Sequence, residues 1–486
     1  MTVAPSPVHV ELAERAARPD FETLQKQLRS SGYCARPVRL KGHVETCGAD
    51  GRWRSTWSTL TQPDGVLRKA CGNRREAICP ACAERYRQDA YHLIAAGLRG
   101  GKGVPDTVTE HPMIFATLTA PTFGAVHSRA TGPDGQPRRC RPRRDAPVCP
   151  HGNSLSCTRL HREGDPCLGE PLCRECFDYD SALVWNNLLG ELWRRTTIYL
   201  PRALARLVGL TQKQLRARVR VAYVKVAEYQ QRGLVHLHLV IRLDRAMPKY
   251  RAGDVRPPGL RFTVELLEDA LRNAAATVTV PVPQEIGGGY ATWGAQLDVQ
   301  HIGTGRALEP GHCAGYLAKY ATKATEQAGG VLHRVTEHEV NQLPVREHVK
   351  HYLRHAFALD AQLDNRKLAR NAHAFGYRGH CLTKSRRYST TFKQLRADRE
   401  AHVLEQILAR SRDESQRAIA TAAPEQRRGR FEFVGQGHRT DVEALLAEQG
   451  RAREREMRRI AREELCDQPP PRREPTCLTR PSSSRS

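Results

Sequence analysis

The sequence predicts an α+β fold in which a central antiparallel sheet carries helices, with two cysteine-rich segments set into its first third. Three observations point there. From Arg218 to Leu243, VRVAYVKVAEY and LVHLHLVIRL alternate β-branched with polar residues around the turn Gln230-Gln231-Arg232-Gly233, the pattern of a hairpin. A further strand reads at Met113-Ile-Phe-Ala-Thr-Leu-Thr119, stopped by Pro121 and Gly124. Apolar residues recur at helical spacing from Ser181 to Leu200, where Trp185, Leu188, Leu189, Leu192 and Trp193 share one broad face.

The rest of the chain fills in around these elements. Its 486 residues suffice for two to four domains, and 40% hydrophobic residues mean that most of it folds. A strand is expected at Ala295–Ile302, then a helix from about Gly311 to Gln327, closed by Gly329-Gly330. Residues 131–145, TGPDGQPRRCRPRRD, are turn formers and arginines and read as an exposed loop. Beyond about residue 393 the sequence reads as helical and heavily charged. It ends in a Pro-, Arg- and Ser-rich tail expected to be disordered.

Charge and cysteine usage narrow the function. Lys and Arg total 77 against 52 Asp and Glu, a formal charge of +25, so a polyanion such as nucleic acid is the expected partner. No run of about 18 apolar residues marks a membrane span, and the opening residues carry no secretory h-region. A cytoplasmic protein with reduced thiols is expected. Five of the fifteen cysteines fall between Cys34 and Cys82 and six between Cys140 and Cys176, and clustered reduced thiols usually hold metal. Cys79-x-x-Cys82 has the spacing of a zinc knuckle with Cys71 nearby, and either Cys34 or Cys47 can complete four ligands. Cys173-x-x-Cys176 is a second knuckle, with partners to be drawn from Cys149, His151, Cys157, His161 and Cys167.

Two constellations carry chemistry. Strand alternation puts the imidazoles of His236 and His238 on one face, and Glu228, eight residues before His236, lies across the hairpin turn. Two nitrogens and one oxygen suit a divalent ion such as Mg²⁺ or Mn²⁺ with open positions, although an isolated H-x-H is more often two polar residues on a solvated face. In Tyr316-Leu-Ala-Lys319-Tyr320-Ala-Thr-Lys323, helical spacing projects two phenols and two ammoniums together. Such a face can attack and clamp a phosphate, or serve only as the basic side of an amphipathic helix. Lys384, Arg386 and Arg387, beside aromatic and hydroxyl groups, suit backbone tracking along nucleic acid and equally a charged loop.

Taken in order along the chain, these motifs resemble the HUH-type rolling-circle replication initiators. Phe115-Ala-Thr-Leu-Thr119 is similar to their first motif, His236-Leu-His238 to their second and Tyr316-x-x-Lys319-Tyr320 to their third. The wording resembles initiators of actinobacterial integrative elements and plasmids more closely. It does so in Cys34-Ala-Arg-Pro-Val-Arg-Leu40, Cys71-Gly-Asn-Arg-Arg75, Cys149-Pro-His-Gly152, Ala227-Glu-Tyr-Gln-Gln-Arg-Gly233 and Gly376-Tyr-Arg-Gly-His380.

The resemblance implies an HUH endonuclease-like sheet with a zinc-binding N-terminal segment and a zinc-binding insertion, and it favours Cys34 over Cys47. It also implies metal-dependent nicking of origin DNA, single-stranded or supercoiled, by Tyr316. Tyr320 would be a second nucleophile, Lys319 an assistant, His236, His238 and Glu228 the metal ligands, and Lys323 a DNA contact. Structural zinc is expected on Cys34, Cys71, Cys79 and Cys82, and on a set drawn from Cys149, Cys157, His161, Cys173 and Cys176. A host helicase and polymerase are the further partners. The expected organisation is an N-terminal extension (1–33), a zinc-ribbon-like segment (34–105), the nuclease core (106–345) with its insertion at about 138–180, a basic helical DNA-binding region (346–465) and the tail (466–486). The rival readings are a zinc-ribbon DNA-binding regulator without catalysis, and an HUH transposase or relaxase.

Overall fold

A five-stranded antiparallel sheet organises the larger part of the chain. Its order is Leu297–His301, Met113–Leu118, Val235–Arg245, Val219–Tyr229 and Leu382–Lys384. The hairpin strands are eleven residues each and pair along their whole length, so Glu228 stands directly opposite His236 and Val226 opposite His238. The computed structural model describes residues 7–48, 50–132, 134–247, 254–303, 308–323, 325–363, 367–410 and 426–467. The tail beyond 467 lies outside the described residues.

Helices cover both sheet faces, which explains why the hairpin strands are apolar on both sides. On one face Leu237, Leu239, Ile241 and Leu243 pack with Ile114 and Ala116 against the helices Tyr179–Leu207 and Val264–Thr277. On the other, Ala222, Val224, Val226 and Val240 pack against Pro80–Arg99 and Pro310–Tyr320. The predicted helical face of Trp185, Leu188, Leu189, Leu192 and Trp193 is buried in the first of these cores. Among the described residues no helix is long and apolar enough to cross a membrane.

The chain divides into two compact units, residues 72–420 and residues 1–71 with 421–486. This grouping differs from the segments expected above because the region after 393 is not helical throughout. The helix Phe392–Arg410 is followed by a strand, Arg427–Gln436, and then by the helix Asp441–Asp467. RRGRFEFVGQ alternates charge with aromatics at period two, a strand signal hidden by the high charge of its surroundings. That strand pairs with Val38–Cys47 in the smaller unit. There the guanidinium of Arg68, almost wholly buried, bridges Asp64 (2.7 Å) and Glu443 (2.6 Å), tying the two ends of the unit together.

Two further expectations need correction. The tyrosine helix ends at Tyr320 rather than near Gln327, so Lys323 lies beyond it; a short 3₁₀ turn at Thr325–Ala328 follows. The helix Asp441–Asp467 runs two residues into the expected tail. Among the described residues the loop 131–145 is mostly exposed, but Cys140 is buried and three of its residues belong to a minimal hairpin, Ala130–Thr131 with Pro137–Arg138.

Candidate active site

The hairpin turn fixes the start of the strand that carries the histidines. Gly233 adopts a φ of +83°, and a Cβ there would lie 2.5 Å from the buried ring of Tyr352. The amide of Asn186, fully buried, donates to the carbonyls of Gly233 and Phe375 (both 2.9 Å), while its oxygen accepts from Val235 N (3.0 Å). His348 adds a second clamp: its Nε2 donates to Arg232 O (3.2 Å) and its Nδ1 accepts from the Tyr179 hydroxyl (2.8 Å). His236 therefore follows a turn held on several sides.

Across the strand pair, His236 Nε2 and His238 Nε2 donate to the same oxygen of Glu228, at 2.8 and 2.7 Å. Burial opposes ionisation of Glu228, but the two imidazole hydrogen bonds outweigh it and hold the carboxyl down to about 2. Burial pushes the His238 imidazole down, which favours the neutral form that a metal ligand requires. Its Nδ1 meets the hydroxyl of Thr117 at 3.0 Å, the kind of outer partner that fixes a ligand imidazole. Three ligand atoms thus lie within 4.8 Å of one another, and their donor set of two nitrogens and one oxygen fits a divalent cation.

The tyrosine helix lays both phenols beside this cluster. Ring centroids of His238 lie 5.3 Å from Tyr316 and 5.5 Å from Tyr320, and the two phenols are 4.7 Å apart. Phe115 stacks on His238 at 5.7 Å and meets Tyr316 edge-on at 5.8 Å, so the first strand floors the site. Lys323, although past the helix, keeps its ammonium 4.9 Å from the Tyr320 ring centre, with Lys319 at 6.0 Å. Burial raises both phenols above their ordinary range.

The remaining sequence-derived residues scatter. Lys384, half-buried, donates to the carbonyls of Ser385, Arg386 and Ser389, so it braces its loop. Arg386 and Arg387 line a cavity of about 730 Å³ with Trp193, Pro201 and Tyr223 on the opposite, helix-covered side of the sheet from the histidines. In the smaller unit, Cys71 N donates to Cys34 Sγ (3.3 Å). In the larger unit, Cys79 caps the helix Pro80–Arg99 and Cys82 lies in its first turn. Cys173 and Cys176 meet Cys149 and His151, with His151 Nδ1 3.3 Å from Cys176 Sγ and 3.7 Å from Cys173 Sγ. Cys157 and His161 do not join them; they converge instead with His127 and Cys140, two residues that spacing did not single out. Thr117, Asn186 and Asp298 were also missed. Asp298 stands opposite Thr117 in the sheet, and its charge raises the pKa of His238 and of Tyr316.

A helix-covered antiparallel sheet that presents a carboxylate and two imidazoles to a helix bearing paired phenols defines an α+β protein with a candidate metal-and-tyrosine site. Comparison with known proteins gives the family. The chain belongs to the RepSA family, described as replication initiator protein, pSAM2, whose model matches residues 20–452. It is similar to a replication initiator protein of Streptomyces ambofaciens, 38% identical over 472 residues that cover 94% of this chain and 96% of the relative. No solved structure matches the chain.

Proposed function

We propose that this replication initiator nicks one strand of origin DNA through a tyrosine and rejoins or transfers it during rolling-circle replication of a plasmid or integrative element. The observation that carries this reading is the convergence of Glu228, His236 and His238 with Tyr316 and Tyr320 on one sheet face, in a chain of an initiator family. His236, His238 and Glu228 would hold Mg²⁺ or Mn²⁺, which supplies Lewis-acid polarisation of a phosphodiester. The phenolic oxygen of Tyr316 attacks phosphorus. The new O–P bond forms as the P–O3′ bond breaks, leaving a 5′-phosphotyrosine and a 3′-hydroxyl that has taken up a proton. Lys319 and Lys323 counter the charge of the phosphate, and Tyr320 performs a second transfer while Tyr316 is esterified. The +25 charge draws the polyanion in, with Arg386 and Arg387 as further contacts.

The cysteine-rich segments act as structural zinc supports, through Cys79 and Cys82 in the first and through Cys149, His151, Cys173 and Cys176 in the second. A helicase and a polymerase of the host would extend the freed 3′ end. The test is nicking of supercoiled plasmid carrying the element's origin, with and without chelator. Metal-dependent nicking with a covalent protein–DNA adduct is expected. Full nicking by His236→Ala/His238→Ala in chelator would overturn the reading.

A further inference from the structure

The segment between Pro121 and Phe177 folds almost without an apolar interior. Among the described residues, no hydrophobic cluster draws a buried member from between Ala120 and Phe177; Phe123 and Val126 only lean on the main core. A stretch this long needs another source of stability, and small segments without a core commonly take it from metal. Cys149, His151, Cys173 and Cys176 supply one such centre, but they leave unexplained why His127, Cys140, Cys157 and His161 converge as well.

We propose that His127, Cys140, Cys157 and His161 form a second, separate zinc site of the Cys₂His₂ type. Their ligand atoms all lie within 4.8 Å of one another, and Cys140, Cys157 and His161 are buried. Tetrahedral zinc, with bonds of about 2.05 Å to nitrogen and about 2.3 Å to sulfur, requires edges of about 3.3 Å between nitrogens and about 3.6 Å between nitrogen and sulfur. His127 Nδ1 stands 3.2 Å from His161 Nε2, and Cys157 Sγ stands 3.6 Å from the same Nε2. The outer partners also fit. His161 turns its other nitrogen to Asp165 (2.8 Å), the carboxylate–imidazole relay that orients metal-bound histidine, and Ser128 N donates to Cys140 Sγ (3.2 Å). Asp165 approaches His161 through that outer nitrogen, and Cys167 Sγ lies nearer to it (3.4 Å) than to Nε2 (4.0 Å), so both belong to the surround.

The backbone builds the site in advance. Cys140 N donates to Arg159 O (2.9 Å), and Arg141 and Cys157 exchange both amide–carbonyl bonds, which sets the two thiols on facing, bridged segments. His127 exchanges bonds with Glu170 and Gly169, at 2.8 and 2.9 Å. The second of these residues reaches the hairpin turn: a Cβ on Gly169 would lie 2.3 Å from the carbonyl carbon of Gln231. Arg346 binds across the junction, donating to Leu168 O (2.9 Å) and Gln231 O (3.0 Å). The ion therefore fastens the insertion to the turn that precedes His236, whatever reaction that histidine serves.

Metal analysis of the purified full-length chain tests this without reference to activity. Cys140→Ser/Cys157→Ser should contain one zinc fewer than the unaltered protein, Cys149→Ser/Cys173→Ser also one fewer, and the fourfold variant two fewer. Should the variants not fold, alkylation of the unaltered protein mapped by mass spectrometry replaces them. Cys140 and Cys157 should resist labelling until a chelator removes zinc, then label together. Wild-type zinc content in folded Cys140→Ser/Cys157→Ser, or equal labelling of Cys140 and Cys157 before and after zinc removal, would overturn the proposal.

Discussion

Replacing Asn186 by Leu removes the amide that holds the hairpin while keeping its volume. Three backbone groups lose their partner at once: the carbonyls of Gly233 and Phe375 and the N–H of Val235. All meet a side chain with no solvent exposure, so water does not replace it. Each orphaned group costs about 1–3 kcal/mol, and burying an apolar side chain returns about 1–2 kcal/mol, leaving a net loss of about 4 kcal/mol. Spread over a unit spanning residues 72–420, that lowers the melting temperature by about 5 °C. The neighbouring Trp185, buried and bonded to Thr292 O, makes intrinsic fluorescence a local probe of the transition. Asn186→Asp should be no better at neutral pH, because it keeps the acceptor for Val235 but aims a carboxylate at two carbonyls. A Leu variant melting within 1 °C of the unaltered protein would refute the clamp.

Other consequences follow from the same geometry. Glu228→Gln should weaken Mn²⁺ binding at least 100-fold by calorimetry, since loss of an outer partner alone costs about 10–100-fold; unchanged affinity would remove Glu228 from the ligand set. Burial holds His348 down to about 3, against about 6.5 in an unfolded chain, so its contribution to stability is complete above pH 6.5 and is lost as pH falls toward 3. Between pH 6.5 and 4.5 the unaltered protein should lose about 2–3 kcal/mol more, in denaturant titrations, than His348→Gln, whose amide preserves both hydrogen bonds; parallel curves would contradict this. In peptide mapping of the DNA adduct, Tyr316→Phe should shift any residual adduct to Tyr320, while Tyr320→Phe should nick once and fail to release circles. An adduct at neither tyrosine would end the assignment.

The sheet and its site residues were legible because they obey short periods. Strand alternation is enough to put His236 and His238 on one face, and pairing of Tyr229 with Val235 across five intervening residues brings Glu228 opposite His236; the four-residue turn read from sequence alone would have set Glu228 against Val235. The tyrosine pair is legible for the same reason at helical spacing. Lys323 was assigned to that helix because nothing in Ala321-Thr-Lys323 marks its end. What sequence could not give was long-range convergence. Asn186 reaches the hairpin from a helix about 50 residues away, and no property of an asparagine inside an apolar helix announces three backbone partners. His127 joins Cys140, Cys157 and His161 only because backbone pairing folds the insertion back on itself, so spacing could not choose which of the candidates accompany Cys173 and Cys176. The strand Arg427–Gln436 was lost to composition: its arginines suggested a charged helix, while its partner lies almost 400 residues earlier.

The two phenols are not equivalent, and the difference bears on their proposed order. Tyr316 is 42% exposed and its ring stands nearly perpendicular to that of His238. Burial is the main reason its pKa rises, and donating its hydroxyl to Tyr320 raises it further, as do the charges of Glu228 and Asp298. Tyr320 is less exposed and is also raised by burial and by Glu228, but accepting the hydrogen bond from Tyr316 works in the opposite direction. Its ring centre lies 4.9 Å from the ammonium of Lys323. Without metal, then, Tyr320 is the easier phenol to ionise and Tyr316 the better presented to an incoming strand. Glu228 disfavours both phenolates as long as its charge is unanswered, so a dication held by that carboxylate would lift the penalty from both at once. On the proposed reading, access would then decide the first attack, which favours Tyr316. On the same reading, esterification of Tyr316 would end its donation to Tyr320, and the second phenolate would then rely on the bound dication, with the ammoniums of Lys323 and Lys319 at 4.9 and 6.0 Å from its ring.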